Sequence, residues 1–248
     1  MKTLLCFSVI SLLVLQGMGY TQNYKTGDIL YVVANSGLRL RTSPGQNTGT
    51  IRVLGSGEAV VVSNTFGFDS AYQDQAGWFD GHWISVNMEN VSGYVFDAFL
   101  SSLELPSHED EFCIESLNFT TPVHTYINNH YPLRYDEQGP ETREDVNQCI
   151  TFHEGGIMMT STIGEGWQKT DLVFQGYRLS EVVNLFRGMI VDKDLSQVFQ
   201  DSMKFYKNNE GQMHRVQMGS EVRPVLIEKK RDGNIHVSFI ELNIADGC

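Results

Sequence analysis

The sequence predicts a mostly β protein, in which a small β-barrel is followed by a small α+β domain. Short apolar strands separated by glycine and asparagine fill the first part of the chain. One amphipathic helix pattern, lying between strand patterns, marks the second part. Of 248 residues, 41% are hydrophobic and 11% aromatic, so the chain can fill a real core and disorder is not expected.

Residues 1–19 have the pattern of a cleaved signal peptide. Lys2 supplies a positive start, residues 4–15 are largely apolar, and Gly17 and Gly19 are the small residues that a signal peptidase accepts. The apolar run is too short to span a bilayer. We therefore expect a secreted or periplasmic protein without a membrane span.

The chain is acidic, with 30 Asp and Glu against 18 Lys and Arg and a formal net charge of −12. This balance repels phosphates, so nucleic acid is not expected as a partner. His153-Glu154 lacks the second histidine of a zinc motif, and Gly164-Glu-Gly166 lacks the third glycine of a dinucleotide loop. No metal or cofactor is therefore predicted.

The first folded part is predicted to span residues 20–105. Its clearest strand is 38–41, where leucines alternate with arginines, so that one face buries the leucines. Residues 43–45, Ser-Pro-Gly, then turn the chain. The remaining predicted strands are 29–33, 51–54, 59–63, 83–86 and 93–96, the last two forming a hairpin around 87–92.

Four phrases occur in order along this part: GLRLRTSPG, LGSGEAVVV, HWISV and SGYVFDAFL. Together they resemble the bacterial SH3-like domain family over residues 27–103. The resemblance implies a small β-barrel that binds rather than catalyses. It also implies a role at the cell envelope, with cell-wall glycan or peptide, or an envelope protein, as the partner.

Residues 66–81 interrupt the strand pattern with crowded aromatic and acidic side chains, and are predicted as a long loop. Such a loop inside a compact domain is often functional. Aromatic faces beside carboxylates suit a sugar or a cationic group, although the aromatics could instead cover one open end of the barrel. Phe66 and Trp83 are expected in the core. The candidate ligand-binding residues are Tyr72, Trp78, Phe79, Asp69, Asp74 and Asp80.

Residues 106–111 combine proline with an acidic run and are predicted as a linker, and 112–248 as an α+β domain of no recognised family. Helices are predicted over 179–190, with Ser180 as the N-cap, and over 195–206. Residues 112–126 are a mixed segment opening with a strand, and 134–147 an exposed loop. The other predicted strands lie within 150–160, at 171–174, and in a hairpin of 222–230 with 234–242.

Three cysteines follow the leader: Cys113, Cys149 and Cys248. In an oxidising compartment two of them could pair, and the sequence leaves the pairing open.

A cysteine nucleophile is the alternative, because bacterial SH3-like domains are often fused to papain-like cell-wall peptidases. Such a cysteine prefers a helix N-terminus, whereas strand-like residues follow Cys149. The histidines that could serve it are His124, His130, His153, His214 and His236. No catalytic residue is predicted, and the expected function is non-catalytic binding. The alternatives are a hydrolase with its chemistry in the C-terminal domain, or an envelope scaffold.

Overall fold

The computed structural model describes residues 24–34, 36–71, 80–105, 119–139, 146–190, 201–219 and 224–242, with only the backbone of 65–71 and 80. These residues form two antiparallel sheets, of seven and eight strands, and two short helices. The predicted signal peptide and linker lie outside them. None of the described helices is both long and apolar enough to cross a membrane.

The first sheet has the strand order β3-β2-β6-β5-β4-β1-β7. The prediction of a mostly β fold is confirmed, but the described strands do not close into a barrel. The outer strand β3 is exposed at four of its five positions. A strand that closed a barrel would instead pair on both sides and bury its inward-facing residues. The strands are β1 (Ile29–Val32), β2 (Leu38–Arg41), β3 (Thr50–Leu54), β4 (Ala59–Ala71), β5 (Asp80–Met88), β6 (Val91–Phe96) and β7 (Leu100–Ser101).

Strand β2 shows how the alternating pattern produces the core of this sheet. Leu38 and Leu40 are buried and Arg39 is exposed, as the sequence predicts. Arg41 is also buried, because its guanidinium donates to the Thr48 carbonyl at 2.7 Å and lies over the Trp83 ring, 5.8 Å from its centroid. Trp83 is buried, and its predicted place in the core is confirmed.

The second sheet has the order β12-β13-β14-β15-β11-β10-β9-β8. Buried residues of helices α1 (Thr120–His130) and α2 (Leu179–Gly188) belong to the same core cluster as one face of this sheet. The strands are β8 (Leu133–Gln138), β9 (Asn147–His153), β10 (Ile157–Gly164), β11 (Trp167–Phe174), β12 (Lys204–Lys207), β13 (Met213–Gly219), β14 (Pro224–Lys229) and β15 (Ile235–Leu242).

Several predictions for this half are confirmed, namely the strands within 150–160, the strand at 171–174, the hairpin of β14 with β15, and the helix starting at Leu179. The α2 N-cap is Arg178 rather than Ser180, because the Glu181 carboxylate accepts the Arg178 backbone N–H at 2.9 Å. Ser180 is buried inside the first turn.

Three predictions for this half are wrong in part. The segment 112–126 contains the start of a helix, α1, rather than only mixed structure. The predicted loop 134–147 begins with strand β8. The predicted helix 195–206 is helical at 201 and 202, its first part lies outside the described residues, and its end is strand β12, where Phe205 pairs with Val216 of β13.

One buried cluster joins the two halves of the chain. Trp83, Phe96, Ala98 and Leu103 of the first half pack in the same cluster as residues of both helices and the second sheet. We call this cluster the shared core. A separate cluster fills the rest of the first sheet. The boundary near Pro106 and independent folding of residues 20–105 stay predictions.

Candidate functional site

The predicted ligand-binding residues lie in β4, in β5 or in the segment that connects these two strands. Asp69 lies in β4, opposite His82, and Asp80 begins β5, opposite Ala71. The other four lie outside the described residues: Tyr72, Asp74, Trp78 and Phe79.

Both ends of the predicted loop 66–81 are strand, which corrects the prediction for those residues. Residues up to Ala71 continue β4, and those from Asp80 onward form β5, which leaves 72–79 as the connection. Backbone pairing overrides the loss of sequence alternation here, since a two-stranded ladder needs no buried face along its length.

These paired ends extend beyond the body of the sheet. The pairing of β1 with β4 ends at Ile29–Val61, and that of β6 with β5 ends at Phe96–Trp83. Residues 69–71 and 80–82 therefore form a two-stranded extension, which we call the β4–β5 ribbon. The register is irregular just before the ribbon, since β4 advances six positions from Val62 to Phe68 while β5 advances three, from Val86 to Trp83. Such bulges bend a ribbon and re-aim its side chains.

The base of the ribbon is held by a buried carboxylate. The His82 backbone N–H donates to Asp97 Oδ1 at 2.6 Å, and the imidazole Nδ1 lies 3.7 Å from Oδ2. Gly81 is adjacent, and a Cβ added there would stand 2.5 Å from Asp97 Oδ1, so the close approach requires glycine. Asp97 thereby fixes where β5 enters the sheet.

Asp97 in turn joins the two halves. It accepts a short hydrogen bond from the Tyr24 hydroxyl, and Arg178 Nη1 lies 3.2 Å from Oδ2. The Arg178 guanidinium also donates to the Leu100 carbonyl at 2.6 Å and lies over the Tyr24 ring. Burial alone would raise the pKa of Asp97, but its contacts with His82 and Arg178 outweigh that effect and lower it. The carboxylate is therefore held charged.

Glu181 completes this arrangement from helix α2. Its Oε2 accepts from Arg178 Nε at 3.2 Å, and its Oε1 accepts from the Ser102 backbone N–H at 2.9 Å. We call the set Tyr24, His82, Asp97, Arg178 and Glu181 the junction network. Its buried charges are matched with opposite charges and hydrogen bonds, the condition under which buried ions are tolerated.

A chain of phenol groups lies beside the junction network. The Tyr126 hydroxyl donates to the Glu104 carbonyl at 2.6 Å, the Tyr131 ring lies 6.2 Å from the Tyr126 ring, and Tyr177 is the third member. Gly155, with φ +74°, leaves room for this chain, since a Cβ there would stand 2.9 Å from the Tyr131 ring. Burial raises the pKa of all three tyrosines far above the ordinary value.

These pKa shifts predict a loss of stability at high pH. An unfolded tyrosine ionises near pH ~10, whereas these three resist ionisation while folded, so their contribution to stability is lost as pH rises above that value. Tyrosine ionisation can be followed by phenolate absorbance in a stopped-flow titration at alkaline pH. The rise in absorbance that accompanies unfolding should be smaller in Tyr177→Phe. Tyr206→Phe, which removes a more exposed phenol, should leave that rise unchanged. An equal rise in Tyr177→Phe and the unsubstituted chain would contradict the assignment.

Cys149 is a free, exposed cysteine in strand β9, rather than the first residue of a helix. It faces Ser161 across the β9–β10 ladder, and Ser161, not Cys149, contacts a histidine, with Oγ 3.2 Å from His124 Nε2. Burial lowers the pKa of His124, which favours the neutral imidazole. The possible disulfide partners Cys113 and Cys248 lie outside the described residues.

The Ser161–His124 pair does not have the surroundings of an acyl-transfer site. Ser161 stands within β10, paired with Cys149 on one side and Thr170 on the other, so its backbone is committed to the sheet. Acyl transfer needs backbone N–H donors that are free to hold an oxyanion. His153, another candidate, is buried, with its ring nitrogens 2.9 Å from the Tyr131 carbonyl and 3.1 Å from Thr151 Oγ1.

Sequence reasoning missed the junction network, because each of its long-range bonds joins residues more than seventy positions apart. The one local signal was Arg178 with Glu181 at the start of an apolar helix pattern. Among the described residues, no three His, Cys, Asp or Glu side chains group as a metal site would require.

No family model matches the chain, no curated protein is detectably similar to it, and no solved structure matches it. The resemblance to bacterial SH3-like domains therefore stays a prediction from the sequence.

Proposed function

We propose that this is an exported, non-catalytic binding protein of the cell envelope, and that the β4–β5 ribbon carries the contact with its ligand. The observation that supports this most is the ribbon itself, two strands that continue past the sheet and begin at a buried anchor. An element that projects from a fixed base can meet a ligand without first having to be ordered.

The anchoring supports binding through pre-organisation. Asp97 is fully buried and holds the His82 backbone, while Trp83, the next residue, is packed against Phe96 with ring centroids 5.6 Å apart. The position and direction of the strand are thus set by two neighbouring residues. Fixing a binding element before the ligand arrives reduces the entropy that binding must overcome.

The sequence of the ribbon and its connection supplies the ligand chemistry. Trp78, Phe79 and Tyr72 offer aromatic faces, and the neighbouring aspartates offer carboxylates. Aromatic faces bind sugar rings and cations, and carboxylates accept from hydroxyl and ammonium groups. Cell-wall glycan with amine-bearing peptides presents both kinds of group, so cell-wall material is the first ligand to test.

Replacing Trp78 by alanine should weaken retention on isolated cell-wall sacculi, on the order of tenfold or more if Trp78 is a central contact. The measurement is co-sedimentation of the purified chain with sacculi, alongside a thermal melt. Trp167→Ala is the matched control, since it removes a half-buried tryptophan from strand β11 of the other sheet.

Equal retention by Trp78→Ala and the unsubstituted chain would remove Trp78 as a contact. A large fall in melting temperature for Trp78→Ala would show that this tryptophan serves the core instead. If Trp167→Ala weakened retention to the same extent, the effect would come from removing any partly exposed tryptophan, and it would not identify the ribbon as the contact.

A further inference from the structure

One face of the eight-stranded sheet carries a row of polar side chains across strands β12 to β15. Tyr206 of β12 lies opposite Arg215 of β13, and Arg215 lies opposite Glu228 of β14. Glu228 in turn lies opposite His236 of β15. Residues that alternate with these, such as Val216, belong to the shared core, so the row lies on the opposite face of the sheet. We call Tyr206, Arg215, Glu228 and His236 the β12–β15 row.

Arg215 is held in place by an aromatic ring. Its guanidinium lies over the Tyr206 ring, 4.8 Å from the ring centroid. Its Nε is shielded from water, yet it has no hydrogen-bond partner in the described part of the chain. A guanidinium presents five N–H donors in a planar fork that matches a carboxylate. Arg215 is therefore an oriented cation with a donor that no described residue uses.

Two imidazoles near this cation also have a nitrogen without a partner. His214 is the extra residue of β13 at the bulge where the β12–β13 register shifts, so it lies next to Arg215. Nδ1 of His214 and Nε2 of His236 are shielded from water and make no hydrogen bond with any described residue. Polar nitrogens in this state cost free energy, which a ligand with complementary groups recovers.

Glu228 adds an acceptor at the centre of the row. Its Oε2 accepts from Lys230 Nζ at 2.5 Å. That hydrogen bond, together with the charges of Arg215 and His214, holds the pKa of Glu228 below its ordinary value, so the carboxylate is ionised. A carboxylate has lone pairs for further donors. The row therefore suits a ligand that has one negative charge and several hydroxyl donors, whereas Glu228 repels a more highly charged anion.

The charge of this part of the sequence is opposite to that of the whole chain. Residues 204–231 contain seven of the 18 Lys and Arg residues but only three of the 30 Asp and Glu residues. The formal net charge of the chain is −12. An anionic ligand is therefore attracted to this region and repelled by most of the remaining sequence.

We propose that the β12–β15 row, together with His214, binds a sugar that carries a carboxylate. Arg215 and His214 donate to the sugar carboxylate. Glu228 accepts from the sugar hydroxyl groups, and His236 contacts a hydroxyl group at the far side of the ring. Neighbouring strands lie about 4.8 Å apart, close to the width of a sugar ring, so one ring reaches from β13 to β14. This site lies on the second sheet and does not depend on the contact proposed for the β4–β5 ribbon.

Titration of the purified chain with glucuronate, followed by NMR chemical shifts, tests this proposal. Glucuronate should bind, whereas glucose, a matched sugar without the carboxylate, should bind at least about tenfold more weakly, because the charge-assisted bonds to Arg215 are lost. Arg215→Gln should weaken glucuronate binding by a similar factor. Arg39→Gln is the matched control, because it removes an exposed arginine from strand β2 of the other sheet and should leave binding unchanged.

Inorganic phosphate is the third probe and should bind more weakly than glucuronate, because it has more negative charge near Glu228 and no sugar hydroxyl groups. Phosphate that binds as tightly as glucuronate would identify a general anion site and overturn the proposal. The absence of chemical-shift changes at millimolar glucuronate overturns it too, as does equal binding of glucose and glucuronate. Thermal melts show whether each variant is folded, and glucuronate binding that a folded Arg215→Gln leaves unchanged also overturns the proposal.

Discussion

Replacing Arg178 by methionine should lower the free energy of unfolding by about 3–5 kcal/mol, the usual cost of breaking a buried ion pair from one side. Arg178 is buried, and its guanidinium lies beside Asp97 and Glu181. Methionine fills much of the same volume but leaves both carboxylates without their cation. The cost comes mainly from these uncompensated charges rather than from lost packing.

Urea unfolding measures this effect, and Arg52→Met provides the control. Arg52 pairs with Glu58, but Arg52 is exposed and Glu58 partly exposed, so that pair is worth about 1 kcal/mol or less. Combining Arg178→Met with Asp97→Asn should cost less than the sum of the single substitutions, because it removes both charges of one pair. An Arg178→Met variant no less stable than Arg52→Met would contradict the role given to the junction network.

The same substitution should change the response to acid. The folded pKa of Asp97 lies below its unfolded value, so the stability it contributes is present above the unfolded pKa and is lost as pH falls through the folded pKa. Removing Arg178 raises the folded pKa toward the value that burial favours. The part of the acid-induced loss of stability that is linked to Asp97 should therefore be smaller in Arg178→Met than in the unsubstituted chain, which a pH series of urea unfolding measures.

Replacing Phe186 by alanine should cost about 3–5 kcal/mol, because it leaves a cavity in a close-packed core. Phe186 is fully buried on α2 and touches Phe119 and Phe239, with ring centroids 6.1 and 6.2 Å away. Phe152→Ala is the matched control, since Phe152 is only half-buried and stacks on an exposed tyrosine. Equal losses in the two variants would show that the shared core is not centred on α2.

Alternation in the sequence predicted the strands that have one buried face. Leu38 and Leu40 mark β2 in this way, and the Asp-Gly turn marks the hairpin of β14 with β15. Strand β8 could not be found by the same signal, because all its residues are exposed. It is a strand because β9 offers it a ladder, which is a tertiary cause.

Helix α1 was missed although its sequence carried a signal. Its threonines and asparagines have low helix propensity, which conceals the apolar spacing of Val123, Tyr126 and Ile127. Pro122 lies in the first turn, where proline is tolerated, rather than in the interior. Reading those three apolar residues at helical spacing would have placed the helix.

The predicted site was located only in part by the sequence. Composition singled out residues 66–81, but it did not show that 66–71 and 80–81 continue a ladder, or that Asp97 holds the base of that ladder. Asp97 reads locally as an ordinary residue before a turn. Its importance depends on Tyr24 and Arg178, which no local window includes.

The junction network also sets an order of events during synthesis. Leu100 precedes Arg178, its hydrogen-bond partner, by 78 residues, which at about 5–20 residues per second is a delay on the order of several seconds. Until Arg178 emerges, the first half holds Asp97 without the cation that favours its burial. The first sheet therefore gains its full stability only once helix α2 has been made, so the ribbon leaves the ribosome before the second half can hold Asp97 at its base.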